Sequence, residues 1–194
     1  MRATALFSIL SLVALAGCNS QPPAPPAPPP PEFRPIVSIQ EIMGHVMEPN
    51  AENLWNSIET SITAKGIEEK QPRTKEDWET VRNYAITLVE GTNLLLIPNR
   101  RVTEPGAKPP EGGSDELPPE QIEARVKADP VEWTKHVHQL QDVAMLSLKA
   151  VDAQDIKGMI DAGDKLDKTC GDCHKVYWYP PKDAPKDAPK PAGS

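Results

Sequence analysis

Ile156-Lys157-Gly158-Met159-Ile160-Asp161-Ala162-Gly163-Asp164-Lys165-Leu166-Asp167-Lys168-Thr169-Cys170-Gly171-Asp172-Cys173-His174-Lys175-Val176-Tyr177 is the stretch that decides how this chain folds. Within it Ile156, Met159, Gly163, Leu166, Cys170, Cys173 and Tyr177 stand 3, 4, 3, 4, 3 and 4 residues apart. That spacing is one face of an α-helix. A helix that persists to Tyr177 carries both cysteines on its buried stripe, with His174 projecting beside it. Asp152 is a suitable N-cap, with Asp155 three residues on.

The same period recurs upstream. Trp78, Val81, Ala85, Leu88, Thr92 and Leu95 predict a helix from about Thr74 to Ile97, opened by a Thr74/Asp77 capping box and stopped by Pro98-Asn99. Asp129-Pro130, with Glu132 following, predicts the start of a third helix whose stripe is Trp133, Val137, Leu140, Ala144, Leu148 and Val151. The first helix is less regular. Ile36, Ile39, Met43 and Val46 share a face, Glu48-Pro49 predicts a kink or break, and Ala51, Leu54, Ile58 and Ile62 resume the pattern. Pro98 to Pro119 is a long Pro- and Gly-rich connection, followed by a short helix from Pro119 to Ala128. No segment shows convincing alternation of period two. Four amphipathic helices in one domain predict an all-α fold, a four-helix bundle.

The 23 prolines of this 194-residue chain concentrate outside those helices. Gln21 to Pro35 is mostly Pro and Ala, and Pro180 to Ser194 repeats Lys-Asp-Ala-Pro. Neither stretch can bury enough apolar area to offset its ordering, so they read as a solvated stalk and tail around a domain at 36–179. The formal net charge is −7. Nucleic acid is therefore an unsuitable partner, since binding it depends on a basic face. An acidic surface can instead steer a domain toward a basic partner.

Cys170-Gly171-Asp172-Cys173-His174 is a Cys-x-x-Cys-His motif, the spacing of covalent haem attachment. Two thiols add across the haem vinyl groups while the adjacent imidazole reaches the iron from one face. At the end of a buried stripe, the motif puts the macrocycle inside the domain. A thioredoxin-like pair would sit at a helix N-terminus, where the dipole lowers the thiol pKa, and these cysteines stand near a C-terminus. A structural zinc site would need four ligands, and His45, His136 and His138 are distant single histidines. Haem thus ranks above a dithiol and above zinc.

The third cysteine has a separate reading. Met1 to Gly17 holds Arg2, an almost wholly apolar run from Ala3 to Ala16 and then small residues, the layout of an export signal. Leu15-Ala16-Gly17-Cys18 resembles the bacterial lipobox. By that resemblance residues 1–17 are removed and Cys18 is acylated. Each buried methylene of its chains contributes about 0.8 kcal/mol toward holding residues 18–35 at a membrane. The expected location is the bacterial cell envelope, as a periplasm-facing lipoprotein.

A mostly helical exported domain with one Cys-x-x-Cys-His close to its C-terminus, and no methionine after Met159, resembles the class II cytochromes c, the cytochrome c-prime family. The resemblance covers about residues 36–179 and implies a four-helix bundle with one haem c. Cys170 and Cys173 would form the thioethers and His174 the proximal iron ligand. In that family the first helix covers the far side of the iron, which makes Met43 the candidate distal ligand, with Met47 and His45 as lesser ones. A methionine ligand implies a one-electron carrier serving a redox partner protein. An open distal face implies a five-coordinate protein for small gases such as nitric oxide or carbon monoxide, and a third reading is a regulatory haem lipoprotein. A second copy of the chain is a further candidate partner. No constellation of residues suggests hydrolytic or group-transfer catalysis, so no enzymatic activity is expected.

Overall fold

The computed structural model describes residues 33–108 and 115–180. The expected signal, Cys18, the stalk up to residue 32 and the tail from residue 181 lie outside the described residues. What is described is mostly helical, with one two-stranded antiparallel sheet.

Helix α1 (Ile39–Ile42) opens at Ser38. The Ser38 hydroxyl accepts from the Glu41 N–H at 3.2 Å, and the Glu41 carboxylate accepts from the Ser38 N–H at 3.0 Å. This reciprocal cap satisfies donors that the first turn leaves over. A π-helical segment, Met43–Met47, follows, in which the Glu48 N–H reaches the Met43 carbonyl. Helix α2 (Glu48–Trp55) continues it with Pro49 in its first turn. The kink or break expected at Glu48-Pro49 is thus replaced by a wide turn. Proline has no N–H and crowds the carbonyl four residues back, and a wider turn relieves both problems. The Val46 carbonyl takes the Asn50 side-chain amide instead, at 2.7 Å.

The wide turn inserts a residue and so resets the buried face. Ile39, Ile42, Met47, Ala51 and Leu54 are buried, whereas Met43 and Val46 only flank the core and Ile36 is 78 % exposed. The uniform stripe expected through Ile36 and Met43 is corrected: Ile36 precedes the Ser38 cap and lies outside the helix, and the wide turn shifts the buried face beyond Met43.

Residues 59–70 give a second correction. The helix ends at Trp55, and β1 (Glu59–Thr63) pairs antiparallel with β2 (Gly66–Lys70), Ile62 standing opposite Ile67. Strands were not expected here. Thr60, Ile62 and Thr63 are β-branched and favour extended backbone, and Gly66 takes a φ of +122° that other residues rarely adopt. The alternation was hard to see because neither face of the hairpin is buried.

Helix α3 (Lys75–Leu95) begins at the expected Thr74/Asp77 capping box and buries Val81, Ala85, Leu88, Thr92 and Leu95. Helices α4 (Pro119–Ala128) and α5 (Pro130–Asp152) also match expectation, the second capped by Asp129 on the Glu132 N–H at 2.9 Å. Helix α6 (Ile156–Tyr177) is capped by Asp155, not by Asp152. Gln154, at φ 54°, makes the reversal between α5 and α6, so the chain can restart a helix only after it. Asp152 ends α5 and pairs with Arg82 of α3 at 2.6 Å.

Helix α5 lies between α3 and α6, while α2 packs on α3 and touches α6. Leu88, Ile122, Ile42 and Leu166 are at most 1 % exposed, each worth roughly 1.5–3 kcal/mol of burial. The Trp133 indole donates to the Leu95 carbonyl at 3.2 Å, which ties α5 to the end of α3. Part of the long connection also has a structural task. The Arg101 and Val102 carbonyls accept from Ile39 and Gln40, each at 2.9 Å, and Val102 is buried.

Candidate cofactor-attachment site

Helix α6 stays regular through Cys170, Cys173 and His174 and ends at Tyr177. Its buried stripe, Met159, Ala162, Gly163 and Leu166, leads to the two cysteines, which are half-buried against the core. Burial pushes the Cys170 thiol up to about 11, helped by the Asp167 charge, and the Cys173 thiol to about 12. Both are protonated at neutral pH, unlike the thiolates that serve as redox nucleophiles or zinc ligands.

His174 is also half-buried. Desolvation lowers its pKa, opposed by the Glu48 carboxylate, so at neutral pH the ring is mainly the uncharged form that offers a lone pair. Its ring lies 5.8 Å from that of Trp178 and 6.2 Å from that of Tyr179. The carbonyl of His174 accepts from the N–H groups of Trp178, at 2.8 Å, and Tyr179, at 2.7 Å, which closes the helix end. Two outside groups pin that end. The Arg125 guanidinium of α4 donates to the Val176 carbonyl at 3.0 Å, and the Leu117 N–H donates to the Trp178 carbonyl at 2.8 Å.

A second stripe on α6, adjacent to the buried one, is Ile160, Asp164, Asp167, Gly171 and His174, spaced 4, 3, 4 and 3. Its first three members wall a cleft of about 360 Å³ between α2 and α6, closed on the other side by Leu54, Trp55 and Ile58. At its base the Trp55 indole donates to the Gly163 carbonyl at 3.3 Å. A Cβ at Gly163 would come within 3.1 Å of the Trp55 ring, so the small residue sets how closely α2 approaches. One turn beyond Asp167, Gly171 is half-buried yet has nothing within 4 Å of its Cβ position.

Cys170, Cys173 and His174 thus come together as their spacing implies. Met43 is half-buried at the start of the wide turn, and Glu48, whose N–H reaches its carbonyl, is the residue whose charge acts on His174. Met47 is 5 % exposed and faces Gly91 of α3. His45 and His138 are exposed. His136 is half-buried, 3.5 Å from Glu132 and edge-on to the buried Tyr177 ring at 5.7 Å. Glu48, Trp178 and Tyr179 were not singled out as site residues from sequence. In the sequence Glu48 stands out only as the residue before Pro49.

Among the described residues no cluster of three or more His, Cys, Asp or Glu side chains is placed to hold a metal ion. A haem iron draws only its axial ligands from the protein, so a single imidazole meets that need. No family model, curated protein or solved structure matches this chain.

Proposed function

We propose that this chain is a membrane-anchored c-type cytochrome of the class II kind, a four-helix bundle that carries single electrons through one covalent haem. The observation that carries the reading is the placement of Cys170 and Cys173, half-buried and one turn apart on one face of α6, with His174 beside them. The residues fit the group. Two neutral thiols are available for thioethers, one uncharged imidazole is available for the iron, and the face at Gly171 has room. When bound, the haem supplies a one-electron change at iron.

The remaining roles belong to the chain. Arg125 and Leu117 hold the end of α6, and so the direction of His174, while Glu48 places a negative charge near its ring. A carboxylate there stabilises added positive charge on the imidazole. Met43 is the distal candidate. It sits one turn before Glu48 and is not locked in the core as Met47 is. Met43 and His174 would hold the group from the protein side, and two fixed protein ligands would keep reorganisation small on a one-electron change.

The test is the optical spectrum of the ferric protein. A low-spin spectrum with a sulfur-to-iron charge-transfer band, abolished by Met43→Ala, is expected. A high-spin wild type that takes up carbon monoxide readily would replace the carrier reading with gas binding.

A further inference from the structure

Helix α6 carries four aspartates and four lysines, but the lysines serve only two of the aspartates. Lys157 and Lys165 act on Asp161, and Lys168 and Lys175 act on Asp172. Asp164 and Asp167 make no ion pair or hydrogen bond among the described residues. The sequence leaves them so. One turn to either side of Asp167 stand Gly163 and Gly171, while the lysine one turn beyond Asp164 is Lys168, which pairs with Asp172. Like charges three residues apart on a helix are neighbours and repel. These two unpaired carboxylates are also the ones that wall the cleft between α2 and α6.

The rest of the cleft is apolar. Leu54, Trp55 and Ile58 line it from one side, Ile160 stands beside the aspartates on the other, and the buried Met159 also lines it. Its volume of about 360 Å³ is that of a small-molecule site. The bond from the Trp55 indole to the Gly163 carbonyl fixes an aromatic ring there before any ligand arrives. We propose that this cleft binds a small organic cation with an aromatic body, its charge toward Asp164 and Asp167 and its ring among Trp55, Ile58 and Ile160. Charge complementarity selects the occupant. Two uncompensated carboxylates repel anions. A primary ammonium or a metal ion holds its water tightly, and of the lining side chains only Asp164 and Asp167 offer strong acceptors in place of that water. A quaternary ammonium spreads its charge over methyl groups that tolerate apolar walls, and an indole attracts such a cation. Cys170, Cys173 and His174 do not line the cleft, so the inference does not rest on the haem reading.

The full chain in nonionic detergent at physiological salt is titrated calorimetrically with benzyltrimethylammonium and with dimethyl benzyl carbinol, its near-isosteric neutral alcohol. The cation is expected to bind once per chain with a Kd of about 1 mM or below, and the carbinol about tenfold more weakly or worse. Asp164→Asn and Asp167→Asn together should weaken the cation about tenfold. Ile160→Lys, which puts a competing cation at the rim, should abolish its binding. Glu79→Gln with Asp161→Asn removes the same charge elsewhere and should leave the affinity within about twofold, because distant charges are screened. All five positions are exposed, so the variants keep the fold. Equal affinity for cation and carbinol, no binding of the cation up to about 10 mM, or an equal loss in the control variant would overturn the proposal. So would tighter binding of acetyl-arginine amide than of benzyltrimethylammonium, which would give the cleft to a basic peptide.

Discussion

A Cβ at Gly91 would stand 2.6 Å from the Met47 sulfur and 3.3 Å from Val46 Cγ1, so the buried Met47 side chain would have to shift to admit a methyl group. That close approach lets the wide turn of the first helix lie against α3. Gly91→Ala should therefore destabilise the protein, since overpacking a core costs roughly 1–3 kcal/mol. In a Met47→Ala background only Val46 Cγ1, at 3.3 Å, still stands close, so the same change should cost clearly less, with up to about 1 kcal/mol of helix propensity in its favour. Thermal or denaturant unfolding of the four proteins in the cycle decides it. If Gly91→Ala has the same effect in both backgrounds, Met47 does not seat against Gly91. The contact bears on the site as well, because it commits Met47 to packing and leaves Met43 as the flanking thioether.

At the scale of elements, α3 shows what an N-terminal cap contributes. The Asp77 carboxylate accepts from the backbone N–H groups of Thr74, at 2.9 Å, and Arg73, at 3.0 Å, and these bonds hold its pKa below the ordinary 3.8. A carboxyl lowered in the folded state contributes stability that is present above its unfolded pKa and is lost as pH falls through the folded one. Asp77→Asn should therefore lower stability at neutral pH and flatten the decline below about pH 4. An unchanged acid slope in the variant would show that this cap does not matter. Thr74→Ala should cost about 1 kcal/mol at any pH above that range.

The same elements show what was legible in the sequence. Helices α3, α5 and α6 were readable because each keeps one period and carries a side-chain cap, and Cys170, Cys173 and His174 inherit their placement from that period. The wide turn at Met43–Met47 was not readable, since a stripe continued from Ile39 through Met43 and Val46 assumes about one residue fewer per turn than the chain uses before Pro49. The hairpin escaped because period two reveals a strand through its buried face, and this one buries neither. Asp155 displaced Asp152 as a cap because Gln154 makes the reversal. The role of Glu48 beside His174 depends on how α2 lies on α6, which no local pattern encodes.

For the whole molecule the proposal joins an anchor to a redox domain. Cys18 lies outside the described residues, so its role is tested by fractionation: Cys18→Ser should move the protein from the membrane to the soluble fraction. A variant that stays membrane-bound would remove lipidation from the account. The central claim, one haem held covalently through Cys170 and Cys173, is tested most directly on the purified protein by acid-acetone extraction and the spectrum of its reduced pyridine complex. The account predicts a coloured protein that keeps its haem through extraction, gives a c-type pyridine spectrum at one haem per chain, and loses both properties in the Cys170→Ala, Cys173→Ala double variant. A wild-type protein that is colourless, or whose haem is extracted, would contradict it.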